Sequence, residues 1–149
     1  MEKLRNIWSL LRGGNLLFIG VVIWVLEKWV ATPLLDAALF GEQLPWWLLT
    51  LLITATILIA AGGYVINDYF DVKIDLINRP DRLIVTRAIS KKAAMQLSLA
   101  LSGAGLLLGL IVAWQTYSWM LAVIFIIVPG LLWFYSSSYK RILVVGNLI

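Results

Sequence analysis

The sequence contains no cysteine and no histidine. Their absence excludes disulfides, thiolate or imidazole metal ligands, cysteine nucleophiles and histidine general bases. Charge is scarce too: 13% of the 149 residues are charged against 62% hydrophobic, and the mean hydropathy is +0.93. That balance lies well outside the range of soluble domains and predicts an integral membrane protein. Any metal would have to sit on oxygen, which favours Mg²⁺ or Ca²⁺ over zinc. The net charge of +4 is explained by cytoplasmic loop residues, so no nucleic-acid partner is expected.

Apolar runs are what the chain has in quantity. Four are long enough to cross a bilayer, which takes about 20 helical residues: roughly 15–36, 45–66, 94–114 and 118–138. A fifth begins near Ile142 as ILVVGNLI, too short to span, so the molecule is expected to continue beyond Ile149. The expected fold class is therefore an all-α membrane protein, a multi-helix transmembrane bundle with four complete helices and the start of a fifth.

Lys and Arg alternate with these spans. Lys3, Arg5 and Arg12 precede the first; Lys73, Arg79, Arg82, Arg87, Lys91 and Lys92 lie between the second and third; Lys140 and Arg141 follow the fourth. Connections 37–44 and 115–117 carry neither residue. The positive-inside rule then places the N-terminus and the 67–93 loop in the cytoplasm, which for a bacterial cell means the inner membrane. Residues 2–15 are polar and the first apolar segment is long, so no cleavable signal peptide is evident.

Directly after the second span comes YVINDYFDVKIDLINRPDR, residues 64–82. If the helix continues past Asn67, then Asp68, Asp71 and Asp75 stand at i, i+3 and i+7, within about 60° of one another on a stripe about 10 Å long. Three ionised carboxylates so placed repel one another and need a cation or water. A solvated loop start is the bland alternative. The basic string that follows argues for more, because carboxylates holding Mg²⁺ beside guanidinium groups can together grip a diphosphate. Asn78-Arg79-Pro80 marks a turn that lets the two sets face each other.

The run Asn67-Asp68-Tyr69-Phe70-Asp71, continued by Asp75 and by Asn78-Arg79-Pro80-Asp81-Arg82, resembles the first aspartate-rich motif of the UbiA-type intramembrane prenyltransferases. Arg12-x-x-Asn15, Tyr135-Ser136-x-x-x-Lys140-Arg141 and Gly146-Asn147 follow the family's order. The resemblance implies a helical bundle around a cavity open sideways to lipid, with Mg²⁺ as cofactor. It implies prenyl transfer from a polyprenyl diphosphate, geranylgeranyl diphosphate among the candidates, to a hydrophobic lipid-like or aromatic acceptor. Asp68, Asp71 and Asp75 would be the catalytic and metal-binding residues. Asn67, Arg79, Arg82, Tyr135, Lys140, Asn15 and Arg12 would bind substrate. The wording at 78–82 is closer to relatives that prenylate glycerol-phosphate lipids or tetrapyrroles than to those using hydroxybenzoate. Many relatives read R-P-I-P-S-G where this chain has Arg82-Leu83-Ile84-Val85-Thr86-Arg87. The family's second aspartate motif belongs to later helices, so residues 1–149 are expected to be the N-terminal part of one domain, inactive without further helices or another copy.

Other features stay open. Trp46, Trp47, Trp114 and Trp119 fall at span ends, where aromatic belts anchor helices, whereas Tyr64, Tyr69, Trp133 and Tyr135 lie on the aspartate side as cavity candidates. Glu27 and Lys28 interrupt the first span toward its outer end, as a functional pair or as structural charges with Lys28 snorkelling. Two rival classes remain: a transporter or channel, whose carboxylates belong nearer the bilayer midplane, and a phosphoalcohol transferase, whose D-G-x-x-A-R pattern is absent here.

Overall fold

Trp46–Asn78 is one uninterrupted helix of 33 residues, and the rest of the molecule is arranged along it. The computed structural model describes residues 2–37, 44–78, 80 and 83–139. In chain order the helices are α1 (Glu2–Leu10), α2 (Gly13–Leu26), α3 (Thr32–Ala37), α4 (Trp46–Asn78), α5 (Lys91–Gln115) and α6 (Trp119–Phe134). A π-helical turn, Glu27–Ala31, joins α2 to α3, and another, Tyr135–Tyr139, extends α6. Four segments have the length and apolarity to cross a membrane: Gly13–Asp36, Trp46–Asn78, Lys91–Gln115 and Trp119–Ser138. The protein is an all-α integral membrane protein, with no named strand among the described residues. The start of a fifth helix near Ile142 lies outside them.

The connection expected over 67–93 is shorter than the polarity of its first half suggested, because residues 67–78 are helical. A helix already propagating through an apolar span adds further turns at little cost. An i, i+4 hydrogen bond from Asn67 Nδ2 to Asp71 Oδ2 (2.9 Å) supports the extension. What remains, residues 83–90, folds back on the bundle. Leu83 and Val85 are buried and join Leu10, Val65, Val72 and Ala94 in an apolar cluster that ties α1, α4 and α5 together. Thr86 takes a left-handed φ of 84°, its N–H donating to Ile89 O at 2.7 Å, and Ser90 caps α5 by accepting from Ala93 N–H at 3.1 Å. Within the stretch that departs from the relatives' wording, Leu83 and Val85 thus supply apolar anchors.

α4 packs on α5 along small residues. Ser98 Oγ donates to Gly62 O at 2.8 Å. A Cβ on Gly62 would lie 3.0 Å from Ser98 O, and one on Gly105 would lie 2.8 Å from Ala55 O. Such close backbone approach is how helices associate in lipid, where burying apolar surface gains little. α6 packs on α5 and α2 on α4.

Candidate active site at the end of α4

Arg12 reaches the α4 aspartates from a joint between two helices. α1 stops at Leu10, and Arg12 adopts φ 53°, ψ 52° as the N-cap of α2. Its carbonyl accepts from the N–H groups of Asn15 (2.8 Å) and Leu16 (3.3 Å), and its own N–H donates to Ser9 O at 3.1 Å. A non-glycine residue in this conformation costs about 1–2 kcal/mol. The joint is held by its neighbours: Leu10 is buried, and Gly13 packs so closely under the Trp8 ring that a side chain there would collide with it.

From that joint the Arg12 guanidinium makes two contacts with α4. Nη2 donates to Asp68 Oδ1 at 3.1 Å, forming an ion pair, and Cζ sits 4.7 Å from the centroid of the Tyr64 ring. Tyr64 and Asp68 are four residues apart, hence stacked on one helix face. Asn67, between them, donates to Asp71 as described above. Asp68, Asp71 and Asp75 are each partly exposed. Asp75 lies in the last turn of α4, at the negative end of the helix dipole, where an uncompensated carboxylate is unfavourable by about 0.3–1 kcal/mol.

Below these groups lies a cavity of about 480 Å³, lined on α4 by Ala60, Gly63, Tyr64 and Asn67 and on the α6 side by Leu132, Tyr135 and Ser136, with Arg12 at its mouth. Ser136 is turned inward, its Oγ donating to Leu132 O at 2.8 Å, while Tyr135 is half exposed. Phe70 stands edge-on to both Tyr69 and Trp133, with centroids 5.1 and 6.0 Å apart. The cavity is therefore polar at its mouth and apolar along its walls.

The structure brings Arg12, Asn67, Asp68, Asp71 and Tyr135 to this one end of the bundle, and Asp75 continues the stripe beyond them. Asn15 is exposed one turn into α2, with its backbone bonded to Arg12. Arg79, Arg82 and Lys140 lie outside the described residues, as do Arg141, Gly146 and Asn147. Among the described residues no three acidic side chains converge closely enough to hold a metal ion. The stripe aims its carboxylates at successive points along α4. Its donors suit a hard cation, but Mg²⁺ demands near-octahedral oxygen coordination and is usually held by one or two carboxylates together with substrate phosphate. Asp68, Asp71 and Asp75 fit that role. Glu27 belongs elsewhere: it lines a separate cavity of about 670 Å³ with Gln115, Thr116 and Tyr117, at the opposite end of α5.

Ala60 and Gly63 carry no chemistry by which the sequence marks them as site residues. For Ala60 the signal available was spacing, since positions 60, 64, 67 and 71 follow the i, i+4, i+7, i+11 rule for one helix face.

Comparison with known proteins gives consistent relatives. Residues 29–149 match the UbiA prenyltransferase family. A digeranylgeranylglyceryl phosphate synthase from Ignicoccus hospitalis is 38% identical over 148 residues, covering 98% of this chain and 43% of its own length. The synthase of the same name from Sulfolobus acidocaldarius is 36% identical over 132 residues, covering 89% of this chain and 40% of its own. A solved structure from work on digeranylgeranylglyceryl phosphate synthase in membranes superposes with a TM-score of 0.74 at 27% identity, over 95% of this chain and 46% of that one. The chain thus spans less than half the length of these relatives.

Proposed function

The chain belongs to the UbiA prenyltransferase family, and from that premise we propose that the protein transfers a prenyl group from a polyprenyl diphosphate to a lipid acceptor within the membrane. The proposed donor is geranylgeranyl diphosphate and the proposed acceptor a glyceryl phosphate lipid, a pair compatible with the product in the name of the relatives from Ignicoccus hospitalis and Sulfolobus acidocaldarius, digeranylgeranylglyceryl phosphate. The observation that carries this reading is the carboxylate stripe with its arginine at the mouth of an apolar-walled cavity. A diphosphate fits the charged end and an isoprenoid chain the greasy one. Family membership also favours prenyl transfer over the channel and phosphoalcohol-transferase readings.

In this reaction the allylic C–O bond to the diphosphate breaks, a new C–O bond forms to the acceptor oxygen, and the acceptor's hydroxyl proton is released. Asp68, Asp71 and Asp75 would hold Mg²⁺, which when bound would supply positive charge to offset that of the departing diphosphate. Arg12, Arg79, Arg82 and Lys140 supply fixed positive charge around the same group, with Asn67 orienting Asp71 and Asn15 beside Arg12. Tyr135 and Leu132, which line the cavity, wall the reacting carbon from water. The aspartate end faces the cytoplasm, as the distribution of Lys and Arg supports.

The reading is tested with the intact protein in membranes. Geranylgeranyl diphosphate should be consumed with geranylgeranylglyceryl phosphate as acceptor and not with 4-hydroxybenzoate, and chelation of Mg²⁺ should stop turnover until the ion is restored. Prenylation of the aromatic alone would overturn the acceptor assignment, and turnover unaffected by chelation would overturn the metal. Replacing Arg79 or Lys140 by Ala should weaken donor binding, each charge-assisted hydrogen bond contributing about 1.5–3 kcal/mol. An unchanged KM and kcat in both variants would make them topology charges only.

A further inference from the structure

We propose that Tyr64 is a positioning residue for Arg12: its ring face holds the guanidinium beside Asp68 in the resting site, and keeps it in the cavity mouth when it passes from Asp68 to the donor's diphosphate. The proposal rests on the reading of this site as a diphosphate site.

Arg12 is 42% exposed and rises from the joint between α1 and α2. A long side chain in that position would ordinarily extend toward water. Here it folds back, with its Cζ 4.7 Å from the Tyr64 centroid and Nη2 3.1 Å from Asp68 Oδ1. The two contacts use different parts of the guanidinium. The ring receives its charge through the π-face, while the carboxylate takes an in-plane N–H. A phosphate presents the same kind of in-plane acceptor as a carboxylate. The edge can therefore exchange partners while the face contact persists.

Such an exchange is needed because Asp68 has two claims on it. A carboxylate recruited by Mg²⁺ can no longer give its full charge to Arg12. The donor diphosphate brings the replacement anion at the same moment. Tyr64 stands one turn before Asp68 on the same face of α4, so it can hold Arg12 at nearly constant position throughout. Among the described residues its hydroxyl makes no hydrogen bond. The ring alone carries the contact. Tyr64 is consequently engaged by a protein cation, and Tyr135 is the other aromatic side chain lining the cavity.

The test uses the intact protein in lipid nanodiscs, titrated calorimetrically with inorganic pyrophosphate in the presence of Mg²⁺. Tyr64→Leu should weaken pyrophosphate binding about tenfold, the range of a partly desolvated cation–π contact, while Tyr64→Phe stays within about twofold of the parent. In an Arg12→Ala background Tyr64→Leu should cause no further loss. Three outcomes overturn the proposal: parent-like binding by Tyr64→Leu, equal losses in the Leu and Phe variants, or an undiminished Tyr64→Leu effect without Arg12. Tyr64→Met replaces the Leu variant if that one is not recovered from membranes. Because pyrophosphate binding is read without turnover, a protein that shows this pattern but transfers no prenyl group would sink the assigned reaction and leave the role of Tyr64 standing.

Discussion

Asp71→Asn lowers prenyl transfer by the intact protein at least about a hundredfold, the scale on which loss of one group stabilising transition-state charge is felt, without reducing the amount of protein in the membrane. The substitution is nearly isosteric. Its carboxamide oxygen can still accept from Asn67 Nδ2, the 2.9 Å bond that steadies this turn of α4. What disappears is the negative charge needed to hold a hard cation. Asp68→Asn should behave similarly, and it also weakens the hold on Arg12. Turnover assays beside helical content by circular dichroism separate chemistry from folding. Near-normal rates in both variants would falsify the metal-binding role of the stripe.

A second large effect is expected far from any charge. Gly105→Ala places a methyl group 2.8 Å from Ala55 O, 3.0 Å from Ile59 N and 2.7 Å from Ile59 Cγ1. Two of these atoms are backbone and cannot rotate away, so α4 and α5 must separate. Overpacking of this kind costs about 1–3 kcal/mol, and any shift of α4 carries Tyr64, Asp68 and Asp71 with it. Gly103→Ala, two residues earlier on the same helix, meets nothing within 4 Å. It should be neutral or stabilise by about 0.5–1 kcal/mol through helix propensity. Thermal unfolding in detergent compares them directly. Equal stabilities would mean that α4 and α5 are not in close backbone contact.

The bundle was legible in the sequence because hydrophobic length is nearly the whole signal for a membrane helix. The continuation of α4 through Asp68, Asp71 and Asp75 was legible only as a condition, since the aspartate spacing makes sense on a helix but does not compel one. The meeting of Arg12 with Asp68 was not readable from local pattern. Those residues are 56 positions apart, and what unites them is the left-handed joint at Arg12, a conformation that an arginine does not advertise. Resemblance drew attention to Arg12 and Asn15 without saying what they would touch. The 83–90 turn was hidden for a similar reason, as Thr86 occupies a backbone region usually given to glycine. The α4–α5 contact was within reach: Ser98, Ser102, Gly105 and Gly109 form a small-residue stripe of the kind that marks helix contacts in lipid.

The unbroken course of α4 also makes it a depth gauge. Trp46, 77% exposed, stands at its first residue, where an indole ring favours the headgroup level. Asp68 follows 22 residues later, about 33 Å along the axis at 1.5 Å per residue, against a hydrocarbon thickness of about 30 Å. With the helix uninterrupted between them, Trp46 and the first carboxylate are the two ends of one element. Bilayer thickness therefore sets how far the charged groups stand above the lipid tails: a thicker membrane draws Asp68 toward hydrocarbon, and a thinner one lifts the cavity mouth into water.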